Sequence, residues 1–214
     1  MRLMMRTRVK ICGFTRVEDA LCAASLGVDA IGMVFYPPSP RHIEIEQAEA
    51  IAGVLPAFVS VAALFVDAEP AFITEVLRRI PVDCIQFHGN EAAEVCRGFN
   101  RPYIKAVRMR AETRITELER QYFDARGLLL DAYHPALPGG SGGSFDWGLI
   151  PADRNLPMIL AGGLTTENIG EAIRKVKPYA LDVSSGVESE KGVKDAEKMA
   201  AFIRTTNRAI EVYD

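Results

Sequence analysis

Cys12, Arg41, Asp67, His88, Arg108 and Asp131 each stand at or just beyond the end of a short apolar, β-prone run. Cys12 and Asp131 are the most useful pair for chemistry. A thiolate can take a proton and a carboxylic acid can give one. Placed on two faces of a sugar, they suit proton transfer between neighbouring atoms. Plainer uses compete: a single cysteine often fills core space, and an aspartate after a strand can cap a turn. Arg41 follows Pro40, whose ring limits backbone freedom and favours a fixed placement. Asp67, ahead of Ala68-Glu69-Pro70, reads as a helix-starting acid, and His88 as a turn or supporting residue rather than a base. His42, His88 and His134 show no ligand spacing, so neither a metal site nor a cofactor is expected.

Two glycine-bearing turns supply a different function. Leu160-Ala161-Gly162-Gly163-Leu164 and Leu181-Asp182-Val183-Ser184-Ser185-Gly186-Val187-Glu188 each follow an apolar run and lead into polar, helix-starting residues. Such turns aim backbone N–H groups at one point, which suits a phosphate. Gly162, Gly163, Ser184, Ser185 and Gly186 are therefore candidate phosphate contacts.

These groups need a scaffold that brings strand ends together. The pattern along the chain is strand then helix, repeated. Strands are expected at Val9–Cys12, Ala30–Tyr36, Val59–Val66, Cys84–Phe87, Tyr103–Val107, Leu128–Leu130, Pro157–Ala161 and Ala180–Val183. Helices are expected between them, including Glu91–Phe99, Thr166–Val176 behind a Thr165/Thr166 cap, and Val193–Thr205. The apolar runs lack clean alternation, as parallel strands covered by helices do. The architecture this implies is a single α/β domain over residues 1–214, a (β/α)8 barrel, with residues 1–8 a loose extension. Phosphate sites in such barrels follow the seventh and eighth strands, where both glycine turns fall. Only His134 to Trp147 breaks the rhythm. Its glycine-rich centre, including Gly142, suits a lid or an anion-contacting loop.

Bulk properties agree with this outline. A chain of 214 residues allows roughly 27 per strand–helix unit, which leaves no room for a second domain. The net charge of −3 and the lack of an aromatic-interleaved basic run argue against nucleic-acid binding. Nothing is long and apolar enough to span a membrane. Four scattered cysteines without a CxxC pair read as reduced thiols of a cytoplasmic protein. A small phosphorylated molecule is the expected partner; monomer and homodimer both remain open.

The chain resembles the phosphoribosylanthranilate isomerase family of tryptophan biosynthesis. The carriers are Val9-Lys10-Ile11-Cys12-Gly13-Phe14-Thr15, Gly32-Met33-Val34-Phe35 with Ser39-Pro40-Arg41, Gln86-Phe87-His88-Gly89, and Leu130-Asp131. Gly139-Gly140-Ser141-Gly142, Phe145-Asp146-Trp147 and the two glycine turns continue the match to about Arg204. The resemblance implies an Amadori rearrangement of N-(5-phosphoribosyl)anthranilate. It implies Cys12 as the base removing the C2 proton, Asp131 as the acid protonating the ring oxygen, and Arg41 as the holder of the anthranilate carboxylate. The family commonly has Lys-Thr where this chain has Gly143-Ser144, which shifts loop closure toward backbone N–H groups. Alternatives are the histidine-pathway aminoaldose isomerase, which has an aspartate in place of Cys12, and a non-catalytic phosphate-binding barrel. Indole-glycerol-phosphate synthase fits less well, for its catalytic lysine and glutamate pattern is missing.

Lys10 and Cys12 share one strand face, and in a closed barrel the eighth strand neighbours the first. A Lys10–Asp182 pair beneath the site is therefore expected, lowering the Cys12 pKa or serving only as an ion pair that fills the barrel.

Overall fold

The computed structural model describes residues 6–132 and 145–211. Its strands are β1 (Arg8–Cys12), β2 (Ala30–Val34), β3 (Ser60–Phe65), β4 (Cys84–Phe87), β5 (Tyr103–Met109), β6 (Leu128–Ala132), β7 (Met158–Leu160) and β8 (Ala180–Val183). They pair in chain order, all parallel, and β8 closes on β1. Around this barrel lie α1 (Val17–Ser25), α2 (Ile45–Val54), α3 (Pro70–Arg79), α4 (Ala93–Arg97), α5 (Ile115–Gln121), α6 (Ile169–Val176) and α7 (Ala196–Glu211). Among the described residues, the stretch between β6 and β7 holds only a short 3-10 turn, Trp147–Leu149, in place of a helix.

The two-residue period of each strand sorts its side chains. Outward residues such as Ile11, Met33, Phe65, Phe87, Leu130 and Val183 join the helices in the main core. Phe14, Phe35, Phe65, Phe87 and Phe202 are fully buried, each contributing about 1.5–3 kcal/mol. Phe35 and Phe65 stack with centroids 5.4 Å apart. Inward, Ile104, Ala106, Leu129, Ile159 and Ala180 plug the N-terminal half of the barrel. Above this plug the inward positions turn polar: Lys10, Gln86 and Asp182, then Cys12, His88 and Asp131, all buried. The apolar plug supports the chemistry and separates it from the far end.

Several boundaries differ from the sequence reading, each for a physical reason. Residues 6–8 are not loose: Arg6 pairs with Asp29, Thr7 is buried, and Arg8 opens β1. The helix expected from Glu91 begins at Ala93, because the Glu91 carboxylate turns inward to accept from the N–H groups of Gly89 and Asp67. The expected helix from Val193 is replaced at its start by an antiparallel hairpin, β9 (Glu188–Glu190) and β10 (Val193–Lys194). Gly192 turns that hairpin at φ +84°.

Candidate active site

Cys12 ends β1 facing inward and is 6% exposed. Its register partner on β2 is Gly32, where a Cβ would stand 2.6 Å from Cys12 Sγ and 3.0 Å from Lys10 Nζ. A side chain at residue 32 would collide with the thiol, so glycine makes the space. One step down the strand, Lys10 is paired in register with Asp182 of β8, and Nζ donates to Oδ1 at 2.8 Å. Burial works against the Lys10 charge, yet Asp182 and the Cys12 sulfur outweigh it and hold the ammonium above the ordinary lysine range. The Cys12 thiol goes the other way from expectation. Burial pushes it up, Lys10 and Lys194 pull it down, Asp182 opposes them, and the net position is raised. Lys10 acts in the expected sense but does not overcome burial.

Across the barrel, Asp131 sits on β6, buried, with Oδ2 3.2 Å from His88 Nε2. His88 Nδ1 is 2.9 Å from Gln86 Nε2. Arg108, the register partner of Asp131 on β5, donates from Nη2 to the His88 carbonyl at 3.3 Å. Asp67 does not start a helix: its Oδ1 accepts from the Asn90 N–H at 2.6 Å and ties the loops after β3 and β4 together, while Glu69 precedes α3.

The two glycine turns lie side by side. Gly162 and Gly163 adopt φ of 78° and 62°, the left-handed region that a side chain would strain. At Gly186 a Cβ would stand 2.2 Å from the Leu164 carbonyl oxygen, so the turns touch there. The N–H groups of Gly162, Gly163, Ser185 and Gly186 meet no acceptor among the described residues, which is the donor set an anion needs. The expected Thr165/Thr166 cap is not formed. Asn168 stands ahead of α6 instead, and its side chain folds back: Oδ1 accepts from Thr165 N at 2.9 Å and Nδ2 donates to Gly163 O at 2.8 Å. That clamp sets the first turn. Ser184 Oγ donates to the Cys12 carbonyl at 2.9 Å, linking the second turn to β1.

Arg41 reaches the same mouth but is not alone. Its Nε and Nη2 each donate at 2.7 Å to the carboxylate of Glu188, 11% and 5% exposed as side chains. Lys194 Nζ donates to Glu188 Oε1 at 2.8 Å and to the Cys12 carbonyl at 2.6 Å. Burial raises the cost of the Glu188 charge, but Arg41 and Lys194 hold its carboxyl below the usual range. Lys194 is itself lowered, because burial exceeds what Glu188 returns. Two cations on one carboxylate leave a net positive mouth beside Cys12.

The structure thus brings Cys12, Lys10, Asp182, Arg41, His88, Asp131 and both turns to the C-terminal end of one barrel. Gly142 and the rest of the expected lid lie outside the described residues, as does His134. Sequence reasoning names Gly32 and Gln86 only within the motifs of the resemblance and gives them no role, treats Glu188 only as part of a turn, and passes over Asn168 and Lys194. Gln86 carried a signal, two residues before His88 on one strand face; Lys194 did not, being 182 positions from Cys12. Among the described residues no cluster of three or more His, Cys, Asp or Glu could hold a metal, and no helix is long and apolar enough to cross a membrane.

Fold and site define a (β/α)8 barrel fitted for acid–base work on a small phosphorylated molecule. Residues 9–205 match the family described as N-(5'phosphoribosyl)anthranilate (PRA) isomerase. The chain is 54% identical to N-(5'-phosphoribosyl)anthranilate isomerase of Azotobacter vinelandii over 206 residues, 96% of this chain and 100% of that one. It is 52% identical to the Pseudomonas putida protein of the same name, with the same coverage. The crystal structure of phosphoribosyl anthranilate isomerase from Thermotoga maritima superposes with a TM-score of 0.85 at 41% identity, covering 94% of this chain and 98% of that one. The chain belongs to the N-(5'-phosphoribosyl)anthranilate isomerase family.

Proposed function

We propose that this chain converts N-(5-phosphoribosyl)anthranilate to 1-(2-carboxyphenylamino)-1-deoxyribulose 5-phosphate in tryptophan biosynthesis, with Cys12 as base and Asp131 as acid. The observation that carries the assignment is a buried thiol on β1 and a buried carboxylate on β6, facing across one barrel beneath paired anion turns. A related solved structure, 40% identical with a TM-score of 0.82 and covering 94% of this chain and 98% of its own, is described as a complex with reduced 1-(o-carboxyphenylamino)-1-deoxyribulose 5-phosphate. That is the product skeleton.

In this reading the phosphate sits on the N–H groups of Gly162, Gly163, Ser185 and Gly186, with Ser184 beside them. The anthranilate carboxylate meets the net positive mouth formed by Arg41, Lys194 and Glu188. Asp131 protonates the furanose ring oxygen, the C1–O bond breaks, and the ring opens to the imine. Cys12 then removes the C2 proton, and the resulting enol amine becomes the ketone. No electron leaves or enters, so the conversion is redox-neutral. Each acid or base step contributes roughly 100- to 10,000-fold in rate. The four free cysteines favour a reducing compartment, consistent with a cytoplasmic enzyme.

The test is turnover by the purified chain. Freshly made phosphoribosylanthranilate should lose its anthranilate-type fluorescence and yield a ketose phosphate of unchanged mass. Binding of a product analogue without turnover would leave only a phosphate-binding barrel. Turnover of the histidine-pathway aminoaldose alone would move the assignment to that reaction.

A further inference from the structure

Gln86 is fully buried and shares the inward face of β4 with His88. Its Nε2 lies 2.9 Å from His88 Nδ1, while its Oε1 is buried with no hydrogen-bond donor among the described residues. Leaving a buried carbonyl oxygen unpaired is costly, and such an atom calls for a reason. We propose that Gln86 is a positioning residue that fixes His88 as the neutral imidazole with its hydrogen on Nε2, so that Asp131 is held through Oδ2 and keeps Oδ1 to carry the proton it delivers.

The logic is one of donors and acceptors. An amide NH2 only donates, so the nitrogen it faces must be bare. A neutral ring with bare Nδ1 carries its hydrogen on Nε2, and that atom is 3.2 Å from Asp131 Oδ2. Asp131 Oδ1 accepts no hydrogen bond from a described residue, and a Cβ at Gly162 would stand 2.8 Å from it. The free oxygen therefore faces the phosphate turn, on the substrate side. An amide oxygen against Nδ1 would instead permit a doubly protonated ring. A cation beside Asp131 would hold its carboxylate ionised, the wrong state for an acid. On this view the Nε2 of Gln86 keeps that cation from forming, and the orphaned Oε1 is the cost of that orientation.

Other charges surround the pair. Arg108 on β5 donates to the His88 carbonyl, and Lys105 on β5 donates to the carbonyls of Phe87 and Gly89 and to Glu91. Asp182 on β8 is influenced by both Asp131 and His88, and Lys10 on β1 pairs with it. Asp67 after β3 binds the neighbouring Asn90 N–H. None of these hydrogen bonds involves the Gln86 side chain.

The inference rests on Asp131 as the acid, but its test is separable. Long-range nitrogen–proton NMR on histidine-labelled enzyme should show His88 neutral, with hydrogen on Nε2, from pH 6 to 8. In Gln86→Glu the new carboxylate accepts from Nδ1, so the imidazolium should appear at neutral pH. There kcat should fall on the order of tenfold or more, and the pH profile of kcat should move. Gln86→Met, which keeps the volume and removes the donor, should mix the two tautomers while the fold persists. Hydrogen on Nδ1 or an imidazolium in the wild type, or an unchanged pH profile in folded Gln86→Glu, would overturn the inference. Full activity in Asp131→Asn would remove the acid assignment and leave the tautomer result standing.

Discussion

Lys10 Nζ lies 2.8 Å from Asp182 Oδ1, on register partners of β1 and β8, with both side chains 8% exposed. The pair closes the barrel's polar layer one step beneath Cys12. An ammonium fixed there favours the thiolate above it. In Lys10→Met, the pH midpoint for iodoacetamide labelling of Cys12 should therefore move up, and kcat at neutral pH should fall. An unchanged midpoint would make the pair structural only. The substitution also strands the Asp182 carboxylate, so stability should drop by about 3–5 kcal/mol. The double variant Lys10→Met/Asp182→Asn should recover part of it.

Burial leaves the Cys12 thiol above its ordinary range despite two nearby lysines. As the proposed base, Cys12 is then mostly protonated at neutral pH, and its thiolate fraction grows as pH rises. The log rate of Cys12 labelling by iodoacetamide should climb with a slope near +1 from neutral into the alkaline range, as the thiolate fraction grows. A plateau already reached below pH 7 would contradict a raised thiol acting as the base.

Gly32 gives the sulfur its space. Gly32→Ala puts a methyl 2.6 Å from Cys12 Sγ and 3.0 Å from the Cys12 Cα, so something must shift. Overpacking of this kind costs about 1–3 kcal/mol. Displacing the proposed base should lower kcat on the order of a hundredfold with a smaller change in KM. Thermal melting beside steady-state kinetics separates the two effects.

Glu188 neutralises part of the charge of Arg41 and Lys194, and its folded pKa lies below the unfolded value. A depressed carboxylate contributes stability that is present above its unfolded pKa and lost as pH falls through the folded one. Glu188→Gln should therefore cost about 3–5 kcal/mol near pH 7. The gap to wild type should narrow in acid below about pH 4. With Arg41 released from its partner, KM should change more than kcat. Urea melts across pH and substrate titrations check both parts.

Much of this is legible in the amino-acid sequence. The spacing of Lys10 and Cys12, with a closing strand eight, placed the Asp182 pair, because strand period and barrel closure are both rigid rules. The glycines at residues 162, 163 and 186 mark the two turns, the first two because few side chains tolerate a positive φ and the third because a Cβ there would meet the Leu164 carbonyl. Helix starts at Glu91, Thr166 and Val193 were misplaced where a polar residue turns inward instead of capping: Glu91, Asn168 and Lys194. The sense of the Cys12 shift also escaped, since a sequence shows nearby charges but not the depth of burial. Lys194 had no local sign at all; only folding brings it to the carbonyl of Cys12.

The most direct measurement is single-turnover fluorescence decay of phosphoribosylanthranilate in wild type, Cys12→Ser and Asp131→Asn, with product-analogue binding measured in each. The acid–base account predicts rapid decay in wild type, decay slowed at least about a hundredfold in both variants, and nearly unchanged binding. Decay at close to the wild-type rate in either variant would contradict the role given to that residue.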